Sequence, residues 1–198
     1  LIQPGYPAKA AKEYLARASD CFNEMYRSGT DIRGVIESKA WFMDQVLKAL
    51  WLRYDLNPEY YALIAVGGYG RGELQPHSDI DLLILGKDDI PAAVGEDLSS
   101  FITLVWDLQL DIGHSVRTID ECIDRAKDDV TIATNLLETR TIAGSNSLEA
   151  TLSARIYSDE VFTSEAYFVA KLEEQRARHT KYSGTEYDLE PNIKASPG

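Results

Sequence analysis

The stretch Tyr61–Leu85 reads YALIAVGGYGRGELQPHSDIDLLIL and contains two apolar runs separated by a glycine-rich loop. The first run, Tyr61–Val66, is continuously apolar and lies between Pro58 and Gly67, which is typical of a buried β-strand. The second run, Asp79–Leu85, predicts another buried strand that begins with two aspartates. Because only a short loop joins the two runs, with no long crossover helix between them, the pattern excludes a Rossmann dinucleotide site.

Helices and a third strand surround these two strands in the predicted plan. Three- and four-residue apolar spacing, helix-capping residues and breakers indicate the helices, and LDIGHSVR at 110–117 predicts the third strand. The predicted helices are Ala8–Ser28, Asp31–Leu52, Pro91–Trp106, one that begins at a capping box of Thr118 with Glu121, one from Asp129 to Gly144, and Ser164–Lys181. The sequence therefore predicts an α/β (α+β) fold, with a small mixed sheet flanked by N- and C-terminal helices.

The chain of 198 residues has room for one globular domain with helical additions. We divide it into an N-terminal helical region (1–57), an α/β core (58–120), a C-terminal helical region (121–182) and an extended tail (183–198). The opening LIQPGYPAKA and the closing EPNIKASPG resemble points where a longer sequence has been cut. We therefore predict that the chain is a piece of a longer protein.

The composition excludes several classes of function. A formal net charge of −12, without a dense Lys/Arg cluster, argues against a nucleic-acid binder. No apolar run is long enough for a membrane span, and no signal peptide is recognisable at the start. The two cysteines, Cys21 and Cys122, are far apart, which predicts a cytoplasmic protein with both thiols packed as small apolar groups.

Two aspartates are the centre of the candidate chemistry. Asp79 and Asp81 are two residues apart on a predicted strand, so both carboxylates point to the same side. Adjacent carboxylates repel each other unless a cation compensates them, and Mg²⁺ or Mn²⁺ accepts such oxygen ligands. In the alternative interpretation the strand has ended and both carboxylates are solvated, but the apolar residues 82–85 continue the strand.

The loop between the strands supplies candidates for phosphate binding. Gly67 and Gly68 let the backbone approach a phosphate closely, and the N–H groups of a turn that opens a helix favour an anion. The alternative is a tight strand-to-helix turn with no ligand. The loop is not a P-loop, because Gly-Lys-Ser/Thr is missing. Arg71 is a candidate phosphate contact, or the partner of Glu73 or Asp79 in an ion pair.

A third carboxylate would complete a two-metal site. Asp111 is the first candidate because it opens the third strand and shares a face with small residues such as Gly113 and Ser115. Asp107 is the rival candidate, and a surface carboxylate at a strand start is the alternative for Asp111.

The remaining histidines and tryptophans are assigned mainly to packing or to solvent. His77 is interpreted as a solvated loop histidine, with a nucleotide contact as the alternative. His114 is interpreted as a core or second-layer histidine. Trp41, Trp51 and Trp106 lie within apolar helical runs, which predicts core positions for all three.

The segment GGYGRGELQPHSDIDLLIL resembles the signature of the polymerase-β-like nucleotidyltransferase superfamily, a Gly-Gly or Gly-Ser turn followed by two acidic residues around one apolar residue. Three later segments narrow the resemblance to the bacterial PII-uridylyltransferase family, over most of the chain from about Ile32 onward. These segments are WDLQLDIGHSVRTIDEC, TIATNLLETRTIAGS and YDLEPNIKASPG.

The resemblance implies a site and a reaction. It places the metal-binding pair on Asp79 and Asp81. The turn that holds the triphosphate is placed on Gly67 and Gly68, with Ser78 as a further phosphate contact. The third acidic position is placed on Asp111, where many relatives have glutamate. The implied reaction is two-metal transfer of UMP from UTP to a tyrosine hydroxyl of the PII signal protein, with release of pyrophosphate. An HD hydrolase domain and two ACT domains are implied outside these residues.

Two other functions remain open at this stage. A glutamine synthetase adenylyltransferase shares the acidic pair but uses ATP, although GHSVRT and EPNIKASPG speak against it. A catalytically silent regulator could bind nucleotide and metal without turnover, although the presence of both Asp79 and Asp81 favours activity.

Overall fold

The computed structural model describes residues 8–76, 78–87 and 91–182, so His77 lies outside the described residues. None of the helices in this part of the chain combines the length and apolar character needed to cross a bilayer. The helices are α1 (Ala8–Arg27), α2 (Ile32–Trp51), α3 (Gly67–Gly70), α4 (Ala92–Asp107), α5 (Ile119–Asp128), α6 (Val130–Leu136), α7 (Asn146–Ile156) and α8 (Ser164–Tyr182). The strands are β1 (Tyr61–Val66), β2 (Ile80–Gly86), β3 (Ile112–Thr118) and β4 (Thr139–Gly144).

The four strands form one mixed sheet in the order β3-β2-β1-β4. β1 pairs antiparallel with both β2 and β4, whereas β3 runs parallel to β2 at the sheet edge. A parallel pair needs a crossover connection, and α4 provides it between β2 and β3. The predicted fold class, a small mixed sheet flanked by helices, is confirmed.

Both faces of the sheet are covered. This explains why every residue of β1 and nearly every residue of β2 is apolar. On one face Leu82 and Ile84 belong to the core that α2 and α4 complete. On the other face Leu83 and Leu85 pack with residues of α5, α6 and α7. Since side chains alternate along a strand, Asp81 lies on the face of Leu83 and Leu85.

The predicted helix starts are confirmed by their caps. Asp31 accepts a hydrogen bond from the Gly34 N–H at 3.3 Å, and Asp129 accepts one from the Thr131 N–H at 2.7 Å. Thr118 and Glu121 form the reciprocal capping box, since each side chain accepts from the backbone N–H of the other residue. Such caps satisfy N–H groups that have no partner within their own helix.

The predicted helix from Asp129 to Gly144 is wrong beyond its first two turns. α6 ends at Leu136, and Thr139–Gly144 forms β4, which pairs with the free edge of β1. Its β-branched residues suit a strand, and Ile142 is buried in the sheet. The segment 121–182, predicted to be a helical region, therefore contributes a strand to the central sheet. The division of the chain into domains stays a prediction.

Two of the three predicted core tryptophans are exposed. Trp51 is buried at 3% exposure, but Trp41 is 64% exposed and Trp106 is 54% exposed. Trp41 follows the buried Ala40 on α2, and one residue turns the side chain by about 100° around the helix, away from the core. The Trp106 ring lies edge-on to His114 at 5.2 Å, and His114 is exposed on the edge strand, so a core position is wrong for it, and the second-layer position stays a prediction.

The two cysteines have opposite environments. Cys122 is fully buried beneath the sheet, as predicted, and burial raises the pKa of its thiol to about 12. Cys21 is exposed on α1, so the prediction of a packed thiol is wrong there.

Gly144 provides a test of how β4 joins the sheet. It has φ +85°, and a Cβ at this position would lie 2.2 Å from the Tyr61 carbonyl oxygen. We expect Gly144→Ala to lower the free energy of unfolding by about 2 kcal/mol, because the strained backbone and the clash add. Urea denaturation followed by circular dichroism measures the change.

The matched control is Gly95→Ala in α4, where nothing lies within 4 Å of the added Cβ. It should leave the free energy of unfolding unchanged or raise it by about 0.5–1 kcal/mol, because alanine is the better helix former. Equal stabilities of the two variants would contradict the described position of β4.

Candidate active site

The carboxylate of Asp81 lies between two glycines. Asp81 pairs with Gly113 across the β2–β3 ladder, and a Cβ on Gly113 would lie 2.5 Å from Asp81 Oδ1. On the other side, a Cβ on Gly67 would lie 3.9 Å from Asp81 Oδ2. Gly67 also has φ +58°, a conformation that favours glycine. The half-buried carboxylate therefore occupies space that a side chain at position 113 would take, whereas a Cβ at position 67 would only touch it.

The other two predicted metal ligands are adjacent in the backbone register. The N–H of Ile80 donates to the Asp111 carbonyl at 2.9 Å, and Ile80 pairs with Ile112. Asp79 and Asp111 thus directly precede paired residues of neighbouring strands, at the end of the sheet where Asp81 lies. Within the described residues, no group of three Asp, Glu, His or Cys side chains is arranged as a metal site. The triad with Asp111, and Asp107 as its rival, stay predictions.

The glycine turn follows β1 directly. Gly67 and Gly68 form the start of α3, a single helical turn whose N-cap, Val66, makes no side-chain cap. The first N–H groups of any helix lack partners within that helix and favour anions. Ser78 is half-buried in the same loop region, and its N–H donates to the Gln75 carbonyl at 3.2 Å. The predicted phosphate contacts of this loop remain predictions.

Arg71, the other predicted phosphate contact, is engaged in ion pairs. Its Nε lies 3.3 Å from Glu73 Oε2, one of the two pairings that the sequence suggested, and its Nη1 pairs with Glu138. Glu138 lies just before β4, so this contact was missed together with that strand. The guanidinium is half-exposed and lies next to the turn, where a Cβ on Gly68 would approach Arg71 Nη2 to 3.6 Å.

A polar network beneath the turn was not predicted. The Tyr69 hydroxyl donates to Asp44 Oδ1 at 2.6 Å, and Arg140 pairs with the same carboxylate through both terminal nitrogens. Arg140 also donates to the carbonyls of Tyr69 at 3.1 Å and of Gly70 at 3.3 Å. The network joins α2, α3 and β4, and it satisfies the carbonyl groups of the short helix that carries the glycine turn.

The tyrosine of this network stays protonated at any ordinary pH. Tyr69 is 2% exposed. Its burial, and to a smaller extent its hydrogen bond to Asp44, raises the pKa of its hydroxyl far above the usual value. One sequence signal pointed to such a partner. Asp44 lies on the buried stripe of α2, four residues after Ala40 and three before Leu47, where an unpaired charge is costly.

A cavity of 240 Å³ extends from the carboxylate along the sheet. Asp81 and Gly113 are at one end, and Ser115, Arg117, Asn135 and the exposed His114 are the other polar residues that line it. Asn135 also approaches the turn, because a Cβ on Gly67 would lie 3.3 Å from its Oδ1. The apolar lining comes from Val66, Leu82, Leu83, Ile132 and Leu136. Neither Asn135 nor Gly113 was identified as a site residue from the sequence.

Arg140→Met tests the network beneath the turn. It leaves the Asp44 carboxylate without its cation and the Gly70 carbonyl without its Arg140 donor, whereas the Tyr69 carbonyl still accepts from the Gly72 N–H, so we expect a loss of about 2 kcal/mol in the free energy of unfolding. Arg71→Met, which removes half-exposed ion pairs, should cost less than about 1 kcal/mol.

Chemical denaturation measures both variants. Because Asp44 and Arg140 are in contact, the double variant Asp44→Asn/Arg140→Met should lose less stability than the sum of the single changes. Additive losses would show that the contact has no energetic role.

Sequence comparison identifies related families. A model of the nucleotidyltransferase domain matches residues 37–137. A model of the GlnD PII-uridylyltransferase matches residues 166–198. Bifunctional uridylyltransferase/uridylyl-removing enzymes are 47% identical in Stutzerimonas stutzeri (strain A1501) and 46% identical in Azotobacter vinelandii (strain DJ), each over 193 residues and 97% of this chain. The chain spans about one fifth of the length of these curated relatives.

Solved structures of toxin-antitoxin proteins are more distant neighbours. A mutant of the toxin-antitoxin MntA-HpeT has a TM-score of 0.36 and 12% identity, with 71% of this chain and 95% of that chain covered. A toxin-antitoxin with AMP-PNP has a TM-score of 0.35 and 13% identity, with 69% and 94% covered.

Proposed function

The chain belongs to the nucleotidyltransferase domain family, and from this premise we propose that it transfers UMP from UTP to a tyrosine hydroxyl of a PII signal protein. The observation that supports this most directly is the Asp81 carboxylate between Gly67 and Gly113, beside a strand-to-helix turn. The uridylyl group and the PII substrate follow from the names of the family model and the relatives that this chain resembles. The relatives are several times longer, and we propose that hydrolase and sensor domains accompany this domain in the whole protein.

The residues present fit a magnesium site. Asp79 and Asp81 provide hard oxygen ligands, and Asp111 follows in the register as the proposed third ligand. The missing side chain of Gly113 leaves room beside the carboxylate. Two Mg²⁺ or Mn²⁺ ions held here would supply charge neutralisation at the phosphates and a lower pKa for the attacking hydroxyl.

The residues of this chain bind the phosphates, orient the reacting groups and accept the proton. The N–H groups at Gly67 and Gly68, with the Ser78 hydroxyl, bind the outer phosphates and aim the α-phosphorus at the acceptor. The tyrosine oxygen of the acceptor bonds to the α-phosphorus, the bond from that phosphorus to the bridging oxygen breaks, and pyrophosphate leaves. Asp111 accepts the hydroxyl proton. Arg71 exchanges a carboxylate partner for phosphate.

Asp81→Asn tests the assignment of the site. It should lower UMP transfer to a PII protein by several orders of magnitude, because a ligand charge is lost, while the fold is retained because repulsion between the carboxylates falls. Calorimetry should show Mg²⁺-dependent binding of UTP in preference to ATP, abolished in Asp79→Asn/Asp81→Asn. Near-normal transfer by Asp81→Asn would sink the assignment, and a preference for ATP would favour an adenylyltransferase.

Gly113→Ala tests the space around the carboxylate. The added Cβ would displace Asp81 Oδ1, so we expect transfer to fall by about a hundredfold, the scale of a misplaced catalytic group. The far-ultraviolet circular dichroism spectrum should stay unchanged, and Gly95→Ala serves as the control for a glycine change elsewhere. Wild-type transfer by Gly113→Ala would contradict the role of this glycine.

A further inference from the structure

We propose that the cavity between β3 and α6 holds the nucleoside half of the triphosphate, and that Arg117 with Ser115 selects a base that presents carbonyl oxygens, as uracil does. The proposal rests on the proposed function and adds to it a location for the base and the residues that read it.

The cavity has the right position for a nucleoside whose α-phosphate lies at Asp81. Gly113, Ser115 and Arg117 line it in succession along one face of β3, paired with Asp81, Leu83 and Leu85 of β2. At about 3.3 Å per residue, Arg117 is roughly 13 Å along the strand from Gly113. A group attached at the carboxylate end can therefore extend along the cavity and place its far edge at the guanidinium.

The polar side chains of this cavity are available to a ligand. In the part of the chain that the structure describes, the side chains of Ser115, Arg117 and Asn135 make no hydrogen bond or ion pair with another residue. Arg117 also borders a second cavity that contains Glu121, Asp124 and Asp128, so these carboxylates are the competing partners for its charge. None of the described ion pairs within 4 Å involves Arg117, so these carboxylates do not engage its donors.

The chemistry of these groups favours a pyrimidine with carbonyl oxygens. Arginine has donors only, so it suits the O4 of uracil and opposes the amino group that cytosine or adenine presents at the same place. Ser115 can accept the N3–H of uracil, and an unmatched polar edge in such a pocket is strongly rejected. Ile132 and Leu136 provide an apolar wall for the ring. A volume of 240 Å³, below the ~300–1,000 Å³ of drug-sized sites, suits one ring.

The test compares ligands with and without a base. Dissociation constants of UTP, CTP, ATP and inorganic tripolyphosphate are measured with Mg²⁺ for wild type, Arg117→Met and Ser115→Ala. We expect Arg117→Met to weaken UTP binding by about tenfold or more, to reduce the preference for UTP over CTP, and to leave tripolyphosphate binding unchanged. Arg117→Lys should recover only part of the loss, because its ammonium lacks the planar fork.

The matched control is Arg17→Met, which removes the same charge from an exposed position on α1 and should leave all four dissociation constants unchanged. Unaltered UTP binding in both Arg117→Met and Ser115→Ala would overturn the proposal. So would an equal loss for tripolyphosphate, which would make Arg117 a phosphate ligand. Absence of Mg²⁺-dependent binding of every ligand to wild type, tripolyphosphate included, would instead remove the proposed function and the base site with it.

Discussion

The carboxylate of Asp81 lies at the start of β2, on the same sheet face as the buried Leu83 and Leu85, and the surrounding structure keeps space open for it. Gly113 provides the space on the neighbouring strand, and Gly67, with its φ of +58°, lets the turn after β1 approach the other carboxylate oxygen. A carboxylate in such surroundings is costly unless polar groups or cations reach it. Asp81 lies near the start of β2, where the strand ladder ends, and both solvent and a ligand can reach its carboxylate there.

The turn that carries Gly67 depends in turn on residues far away in the chain. Asp44 on α2 and Arg140 on β4 meet beneath α3, and Arg140 holds two of its carbonyl groups. A helix of four residues has few hydrogen bonds of its own, so such tertiary contacts define its position. β4 follows α6 in the chain, and α6 forms a wall of the cavity beside Asp81.

Much of the fold could be predicted because its signals are local. The apolar runs of β1 and β2 and the helix starts at Asp31, Thr118 and Asp129 depend on neighbouring residues only, and all were confirmed. β4 was missed because its sequence, TRTIAG, is short and half polar, and it becomes a strand by pairing with β1. The glycine turn and the aspartates were recognisable by spacing. Gly113, Asn135 and the Asp44–Arg140 pair were not, since their roles arise from contacts between distant segments.

The separation of Asp44 and Arg140 by 96 residues bears on how the domain matures during translation. A nascent chain that has emerged only as far as β3 already contains the glycine turn and the aspartates, but β4 has not yet paired with β1. Contacts between such distant residues form late, because the intervening loop must close first. The turn thus gains its final support after most of the domain has left the ribosome, and a chain truncated before residue 139 would carry the signature of the site without its scaffold.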